Sequence, residues 1–381
     1  MPITIKPKAK FGNDSMHCQN PDPKPGVLTH FHVDDLPVNL TEDDVAEDFA
    51  REYRDSHRFD HDLQRWHIWN GVFWEVNGTG LAFDHARHQC RKHRGSQRTM
   101  GSKRAADGVE YMARRDRRLA VTSKQWDTDP LLLGTPGGTL DLRTGELKKP
   151  DPQAFITKVT AVTPGAPGIA CPNFTQFLVE ATDGDKELQR LLQQIAGYCL
   201  TGLISEHALF FIYGPGGNGK SVLQNVLAEI MGDYSTVAAM EVFAATRNPR
   251  HLSELAMLRG ARLVTASETE SNQKWSEARV NRLTGGDAIT ANFMRQDHFT
   301  YYPQFKLMFV GNHKPQLGTV NDAARRRFNI IPFLHKPVKP DQLLPKKLRS
   351  EYPAILRWAI EGCLDWQAHG LVKPSVVKGD G

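Results

Sequence analysis

The sequence predicts an α/β fold: a phosphate-loop core with a parallel sheet flanked by helices, preceded by a smaller α+β, mostly helical region. Three observations lead there. The apolar, strand-sized run 208–213 ends in a glycine-rich loop that opens a helical pattern. From Pro172 onward, strand-length apolar segments alternate with helical ones, the signature of an α/β sheet. Upstream of that point the segments are shorter and rich in aromatic residues, prolines and turns.

In chain order, residues 1–40 lack periodicity and are rich in Pro, Lys, Asn and Asp, so they read as a flexible arm. Thr41 can cap a helix over roughly 42–54, with Asp44 at its third position, where a carboxylate favours the helix dipole. Trp66–Val76 places aromatic residues around Asn70-Gly71, a hairpin signal whose Trp66, Trp69 and Trp74 read as packing. A basic, helical block follows to Leu119. Segment 131–160 reads as short strands joined by Gly/Pro turns, and Thr163–Cys171 as a linker. A helical region then runs to Thr201. It is followed by strand Leu209–Tyr213, a helix to Met231 and a stop at Gly232. Further strands fit 262–266, 300–302, 306–310 and 328–332, and 354–371 reads as an amphipathic helix.

Bulk properties describe a globular chain: 381 residues, 40% hydrophobic and 24% charged. No apolar run reaches membrane-span length, and the N-terminus has no signal-peptide core. Five scattered cysteines suit a reducing cytoplasm, with Cys171, Cys199 and Cys363 reading as solitary buried thiols. Charge is segregated. Residues 34–60 carry ten acids against three bases, and residues 84–118 carry eleven Lys/Arg against four acids. The second block can meet a phosphate backbone or be a solvated basic face. Within it, Asp84, His85, His88, Cys90 and His93 are zinc-ligand types at a spacing that fits no standard site, and a His-rich basic helix is the plainer reading.

The chemistry concentrates at Gly214-Pro215-Gly216-Gly217-Asn218-Gly219-Lys220-Ser221, which matches G-x-x-x-x-G-K-[ST] between a strand and a helix. The glycines let backbone N–H groups turn inward as an anion nest, and the helix beginning near Lys220 aims its positive end at the same place. Lys220 is expected to reach the β- and γ-phosphates of ATP, and Ser221 to ligate its Mg²⁺. Glu268, at the C-terminal end of the strand through Ala266, is the expected acid for the lytic water or Mg²⁺, with Glu270 in reserve. Asn312, ending the 306–310 strand, can sense the γ-phosphate or be a turn residue. Arg325-Arg326-Arg327 precede an apolar strand and read either as a basic turn or as an arginine finger for a neighbouring subunit.

Taken together and in order, GPGGNGKS (214–221), ASE (266–268), LTGGDAITANFMRQDHF (283–299), PQFKLMFVGNHKP (303–315) and RRRFNIIPF (325–333) resemble superfamily 3 helicases of the phage/plasmid primase–helicase and poxvirus-type branch. LLLGTPGGTLDLRTGE upstream and ILRWAIEGCLDWQAHGL downstream extend the likeness over about 40–370. The resemblance implies an AAA+-like core at 172–340, a collar domain at 41–165, an arm at 1–40 and a C-terminal helical segment at 341–381. It makes Lys220 and Ser221 the nucleotide-loop pair, Glu268 the second-motif acid, Asn312 the sensor and Arg327 the finger, with Arg326 its rival. Thr284–Phe299 becomes a hairpin projecting into a ring channel, bent at Gly285 and Gly286 and anchored by Asp287, with Arg295 and His298 touching DNA.

Two positions depart from the family. Many relatives have a Lys just before the Leu-Thr-Gly-Gly-Asp run, where this chain has Arg282 as its substitute DNA contact, and Ser267 stands where some have a second acid. No primase motif is present, so primer synthesis is not expected. The implied activity is ATP-driven DNA unwinding in phage, prophage or plasmid replication in a bacterial cytoplasm. The implied partners are single-stranded or forked DNA, further copies in a hexamer or similar ring, and a primase or initiator. Rivals are an ATP-switched initiator or loader and a DNA-remodelling ATPase without unwinding.

Overall fold

The computed structural model describes residues 40–95, 98–243, 252–267, 275–293, 297–314, 326–337 and 339–378. Residues 42–381 form one compact unit. Expectations for the arm at 1–39, for Glu268 and Glu270, for Arg295 and for Arg325 fall outside the described residues.

The N-terminal part begins with α1 (Glu42–Tyr53), whose Val45, Ala46, Phe49 and Ala50 are buried on one side. Strands β1 (His57–Asp60), β2 (Arg65–Trp69) and β3 (Trp74–Val76) follow, then α2 (Leu81–Lys92), α3 (Lys103–Ala113) and β4 (Ala120–Val121). The sheet order is β3-β2-β1-β4, with β4 parallel to β1 and the other pairs antiparallel. The hairpin expected around Asn70-Gly71 is present, but its loop is longer than two residues: Asn70 Oδ1 accepts from the N–H groups of Val72 and Phe73, each at 3.0 Å. Trp66 and Trp74 are buried, and Trp66 Nε1 donates to Glu110 at 2.6 Å. His85, Cys90 and His93 are engaged in packing. His85 Nδ1 lies 2.9 Å from His57 Nε2, Cys90 is buried, and His93 faces Asp48 at 3.1 Å.

Strands β5 (Leu132–Thr135), β6 (Gly138–Asp141) and β7 (Glu146–Lys148) make a separate antiparallel sheet. Its Leu133, Leu140 and Leu142 enter the same apolar core as α4 (Pro172–Ala181) and α5 (Lys186–Leu200). The Pro/Gly-rich stretch at 163–171 is irregular chain fastened to residues near the C-terminus. Gly165 N–H donates to Pro353 O at 2.8 Å, and Arg357 Nε donates to Gly165 O at 2.8 Å.

The central sheet contains β8 (Leu209–Tyr213), β9 (Ser235–Val237), β10 (Leu263–Ser267), β13 (Lys306–Gly311) and β14 (Phe328–Pro332), all parallel, in the order β14-β8-β13-β10-β9. Parallel strands covered on both faces read as unbroken apolar runs, and the burial shows why. On β8, Phe210 and Ile212 face one core with α5 and α6 (Lys220–Met231), while Leu209 and Phe211 face the other. On β13, Met308 and Val310 alternate with Leu307 and Phe309 in the same way. α7 (Leu252–Ala256) and α8 (Glu277–Thr284) belong to the second face.

A small antiparallel hairpin, β11 (Ile289–Ala291) and β12 (Phe299–Tyr301), follows α8. The chain continues through α9 (Leu344–Ser350) to α10 (Tyr352–His369). As the sequence predicts, α10 is amphipathic: Tyr352, Ile355, Leu356, Ala359, Ile360, Cys363 and Trp366 are buried along one face, against which α5 packs closely. A Cβ at Gly197 would strike the backbone of Cys363, and one at Gly362 would strike the Gln193 carbonyl. Only glycine permits that approach.

Candidate phosphate-loop site

The loop after β8 and the ends of β10 and β13 enclose a cavity of about 340 Å³, lined by Gly216–Val222, Ser267, Val310, Gly311 and Asn312. It lies at the carboxyl ends of the parallel strands, where an α/β sheet builds its site. The loop geometry follows from its glycines. Gly217 (φ 82°) and Gly219 (φ 86°) are left-handed, and Gly219 is the N-cap of α6. Gly214 (φ 153°) has the neighbouring strand pressed against it: a Cβ would collide with the Phe333 carbonyl oxygen. Gly216 and Gly217 face open space.

Lys220 is only 6% exposed. Its Nζ donates to Gly214 O at 2.6 Å, Asn218 Oδ1 at 2.9 Å and Pro215 O at 3.2 Å. Asn218 is also buried and donates through Nδ2 to Phe333 O, tying the loop to the end of β14. Burial pulls the Lys220 ammonium below the ordinary lysine range, and the nearby Lys336 adds repulsion in the same direction. Both effects are relieved when an anion enters, so the donor set suits a phosphate. Ser221 is exposed at the cavity wall, where its hydroxyl can serve as an oxygen ligand for a hard cation.

Sequence reasoning missed Gln224, one turn beyond Lys220. Its Nε2 donates to Ala266 O and to Met308 O, both at 3.0 Å, and its Oε1 accepts from Ser267 Oγ at 3.4 Å. It holds β10 and β13 in register beneath the loop. The available signal was a polar residue at the i+4 position on the buried face of an otherwise apolar helix. Lys336 was also missed, because only the pairing of β14 with β8 brings its segment beside the loop.

The remaining expected residues divide by place. Asn312 is exposed on the cavity wall. Arg327 and Arg326 stand at the opposite end of the sheet. Phe328 pairs with Leu209 and Pro332 with Tyr213, so Arg327 lies near the start of β8 while the loop begins at its end. Six residues of strand put about 20 Å between them. Arg327 Nη1 donates to Thr284 Oγ1 at 3.1 Å at the end of α8, and Arg326 is exposed. Arg282 is exposed on α8, and His298 is exposed beside the start of β12. Gly286 (φ 86°) turns the chain into β11, and Asp287 is exposed. Thus the loop, Ser267 and Asn312 form one constellation; Arg282, Arg327 and the hairpin are elsewhere on the molecule.

Residues 46–183 match the family described as "D5 N terminal like", and residues 212–327 match a family of unknown function. The chain is thus similar to the D5 family over its N-terminal part, with viral proteins named as helicases among its relatives. The D5-like match runs past the irregular 163–171 stretch into α4, in keeping with the packing of the β5–β7 sheet against α4 and α5. The chain is 26% identical over 275 residues to an Acanthamoeba polyphaga mimivirus protein named "putative helicase" (66% of this chain, 28% of that protein). It is 24% identical over 180 residues to "Putative helicase 022R" of Frog virus 3 (45% and 18%). It therefore spans less than a third of the length of either viral relative. The apo C-terminal region of NrS-1 superposes with a TM-score of 0.51 at 11% identity, covering 84% of this chain and 72% of that one, a likeness of fold. No described helix is long and apolar enough to cross a membrane.

Proposed function

We propose that this protein is the ATP-driven motor of a ring-forming DNA helicase for phage, prophage or plasmid replication. The observation that carries the proposal is the separation of its two charged elements. The phosphate loop lies at one end of the sheet, and Arg327 lies at the other, about 20 Å away along the strands. An arginine side chain spans far less than that, so Arg327 cannot serve its own loop and would serve that of a second copy. Head-to-tail copies closed into a ring, a hexamer or similar, repeat the same composite site at every interface.

In this reading Lys220 and the backbone N–H groups of 216–221 bind and orient the triphosphate of ATP. Ser221, with Glu268, would hold Mg²⁺, which when bound neutralises phosphate charge. Glu268 and Asn312 would orient the attacking water, and the partner's Arg327, or Arg326, would stabilise charge on the transferred phosphoryl group. The β11–β12 hairpin with His298, together with Arg282 on α8, would grip single-stranded DNA, and Arg295 is the further contact expected from the sequence. What supports this is the exposure of His298 and Arg282 and the connection of α8 to Arg327 through Thr284.

The test is ATP hydrolysis with and without single-stranded DNA, with particle mass followed by light scattering, then unwinding of a forked duplex. DNA-stimulated turnover in a ring-sized particle that displaces a strand is expected. Stimulated turnover without displacement would shift the assignment to a remodelling ATPase. A ring that binds ATP with negligible, DNA-indifferent turnover would shift it to an initiator or loader. Arg327→Ala is expected to bind ATP normally and lose roughly 10³-fold in turnover. Mixed with Lys220→Ala, it should regain part of the activity, since some interfaces then combine an intact loop with an intact finger. Absence of any regain would sink the trans assignment.

A further inference from the structure

The motor reading leaves unused a strongly basic surface in the N-terminal part. Residues 85–106 contain seven Lys/Arg and no Asp or Glu. Its described residues form most of α2, part of the connection after it and the start of α3, and all seven basic side chains are exposed. Among the described residues carboxylates reach only two of them: Asp84 of α2 itself pairs with Arg87 at 3.0 Å, and Glu52 of α1 pairs with Lys92 at 3.2 Å. Asp48 of α1 is taken up by His93 and Arg51, and Glu47 by Arg118 and Arg51. Arg91, Arg94, Arg98, Lys103 and Arg104 form no ion pair among the described residues, although the acid-rich α1 packs against both α2 and α3.

Five uncompensated cations gathered at one end of a helical pair cost self-repulsion unless an anionic partner relieves it. The surface around them also limits what the partner is. Within 81–115 the exposed large apolar side chains are Leu81 and Tyr111, and the Tyr111 ring is covered by the Arg115 guanidinium at 3.7 Å. Single strands are held largely by bases stacking on free aromatic faces, which this surface does not offer. Cations without a stacking platform match a regular phosphate backbone, contacted independently of sequence.

We propose that the α2–α3 end is a second DNA site, which binds the phosphate backbone of duplex DNA through Arg91, Arg94, Arg98, Lys103 and Arg104. It is separate from the hairpin, and it needs neither ATP nor a working phosphate loop. In a motor that moves along one strand, such a site would hold the duplex arm of a fork.

The test uses the full chain without nucleotide, an end-labelled blunt duplex and a single strand of equal length, with anisotropy read between about 50 and 200 mM salt. Arg94→Gln, Arg98→Gln and Lys103→Gln combined should weaken duplex binding on the order of tenfold or more. They should also lower the slope of log affinity against log salt by about 2.7, at about 0.9 per lost phosphate contact. Particle mass and melting temperature should not change, and single-strand affinity should fall far less. Unchanged duplex affinity and slope would overturn the proposal. So would an equal loss on both DNAs, which would mean a generic phosphate surface. A fall in particle mass at unchanged duplex affinity would also overturn it, identifying the face as a contact between copies. Lys220→Ala should bind duplex as the parent does, so a failure of the motor reading and a failure of this one are told apart.

Discussion

Two lysines in this molecule look alike by burial and differ in what surrounds them. Lys220 and Lys306 are 6% and 1% exposed, and both donate to backbone carbonyls. Lys220 stands at the carboxyl end of the central sheet, against an open cavity and a loop of glycines. Lys306 starts β13 at the opposite end, where its Nζ donates to Thr201 O, to Leu203 O at 3.2 Å and to Gln304 O at 3.3 Å, with the Tyr198 ring 4.8 Å away. Burial drives the Lys306 ammonium down to about 7. Beside it Arg262, also buried, donates to Leu200 O at 2.7 Å and Leu132 O at 2.6 Å, joining β10 to the C-terminus of α5 and to the β5–β7 sheet. A strongly perturbed buried cation is therefore no marker of function by itself. One end of the sheet uses its lysine to receive an anion, and the other uses its cations to satisfy carbonyls that helix α5 leaves unpaired.

The sharpest way to break the comparison is to remove each lysine. Lys220→Ala should lower ATP hydrolysis on the order of 10²–10³-fold or more while the fold melts as before. Lys306→Met should do the reverse. It should cost about 2–3 kcal/mol in urea unfolding, because carbonyls lose a charged donor, and leave turnover per folded molecule close to normal. If Lys306→Met instead abolished turnover at unchanged stability, the contrast between the two ends would be wrong.

A smaller effect sharpens the contrast within the loop itself. Gly214→Ala meets the Phe333 carbonyl and should both destabilise the fold and abolish nucleotide binding. Gly217→Ala meets no neighbouring atom but must hold φ 82°, which costs about 1–2 kcal/mol. It should weaken binding of a fluorescent ATP analogue and leave β14 in place. Equal losses at the two positions would show that backbone conformation alone, and not the β14 contact, sets the loop.

A pH-dependent effect carries the comparison outside the sheet. His57 is buried, with Ser56 Oγ and His85 Nδ1 each 2.9 Å from its ring nitrogens. Burial, aided by His85 and Arg58, depresses it from 6.5 to about 3. Between those values the unfolded chain takes up a proton that the folded chain refuses, so stability is present above about pH 6.5 and is lost as pH falls toward 3. The loss at pH 5 should be about 2 kcal/mol, at about 1.4 kcal/mol per pH unit. His57→Gln, which cannot titrate, should flatten melting temperature against pH over that range. An unchanged slope would assign the acid sensitivity to another group.

Much of the fold and of the candidate site was legible in the sequence, for physical reasons that the structure makes plain. The run Leu209–Tyr213 is apolar at every position because both faces of the sheet are covered, and a strand so buried needs no second signal. The glycines of 214–219 announce themselves because conformations such as those at Gly217 and Gly219 admit few other residues. Met231 ends α6 where Gly232, at φ 53°, reverses the chain. Local rules of periodicity, capping and left-handed backbone therefore determined the order of elements, the phosphate loop and the helix stops.

Tertiary structure alone decided what depends on residues far apart in the chain. The three-residue strand β9 is too short for a periodicity and exists because β10 offers it an edge. Close packing at Gly197 and Gly362 decided that α5 is the element covering the apolar face of α10. Pairing of β14 with β8 brought Lys336 beside Lys220 and sent Arg327 to the far end of the sheet, a separation no spacing in sequence encodes. Composition recorded that residues 85–106 are basic; only the folded positions of α1, Glu52 and Asp48 decided which of those charges remain unpaired. Burial and Coulomb interactions are set by distances in space, and those distances exist only once the chain has folded.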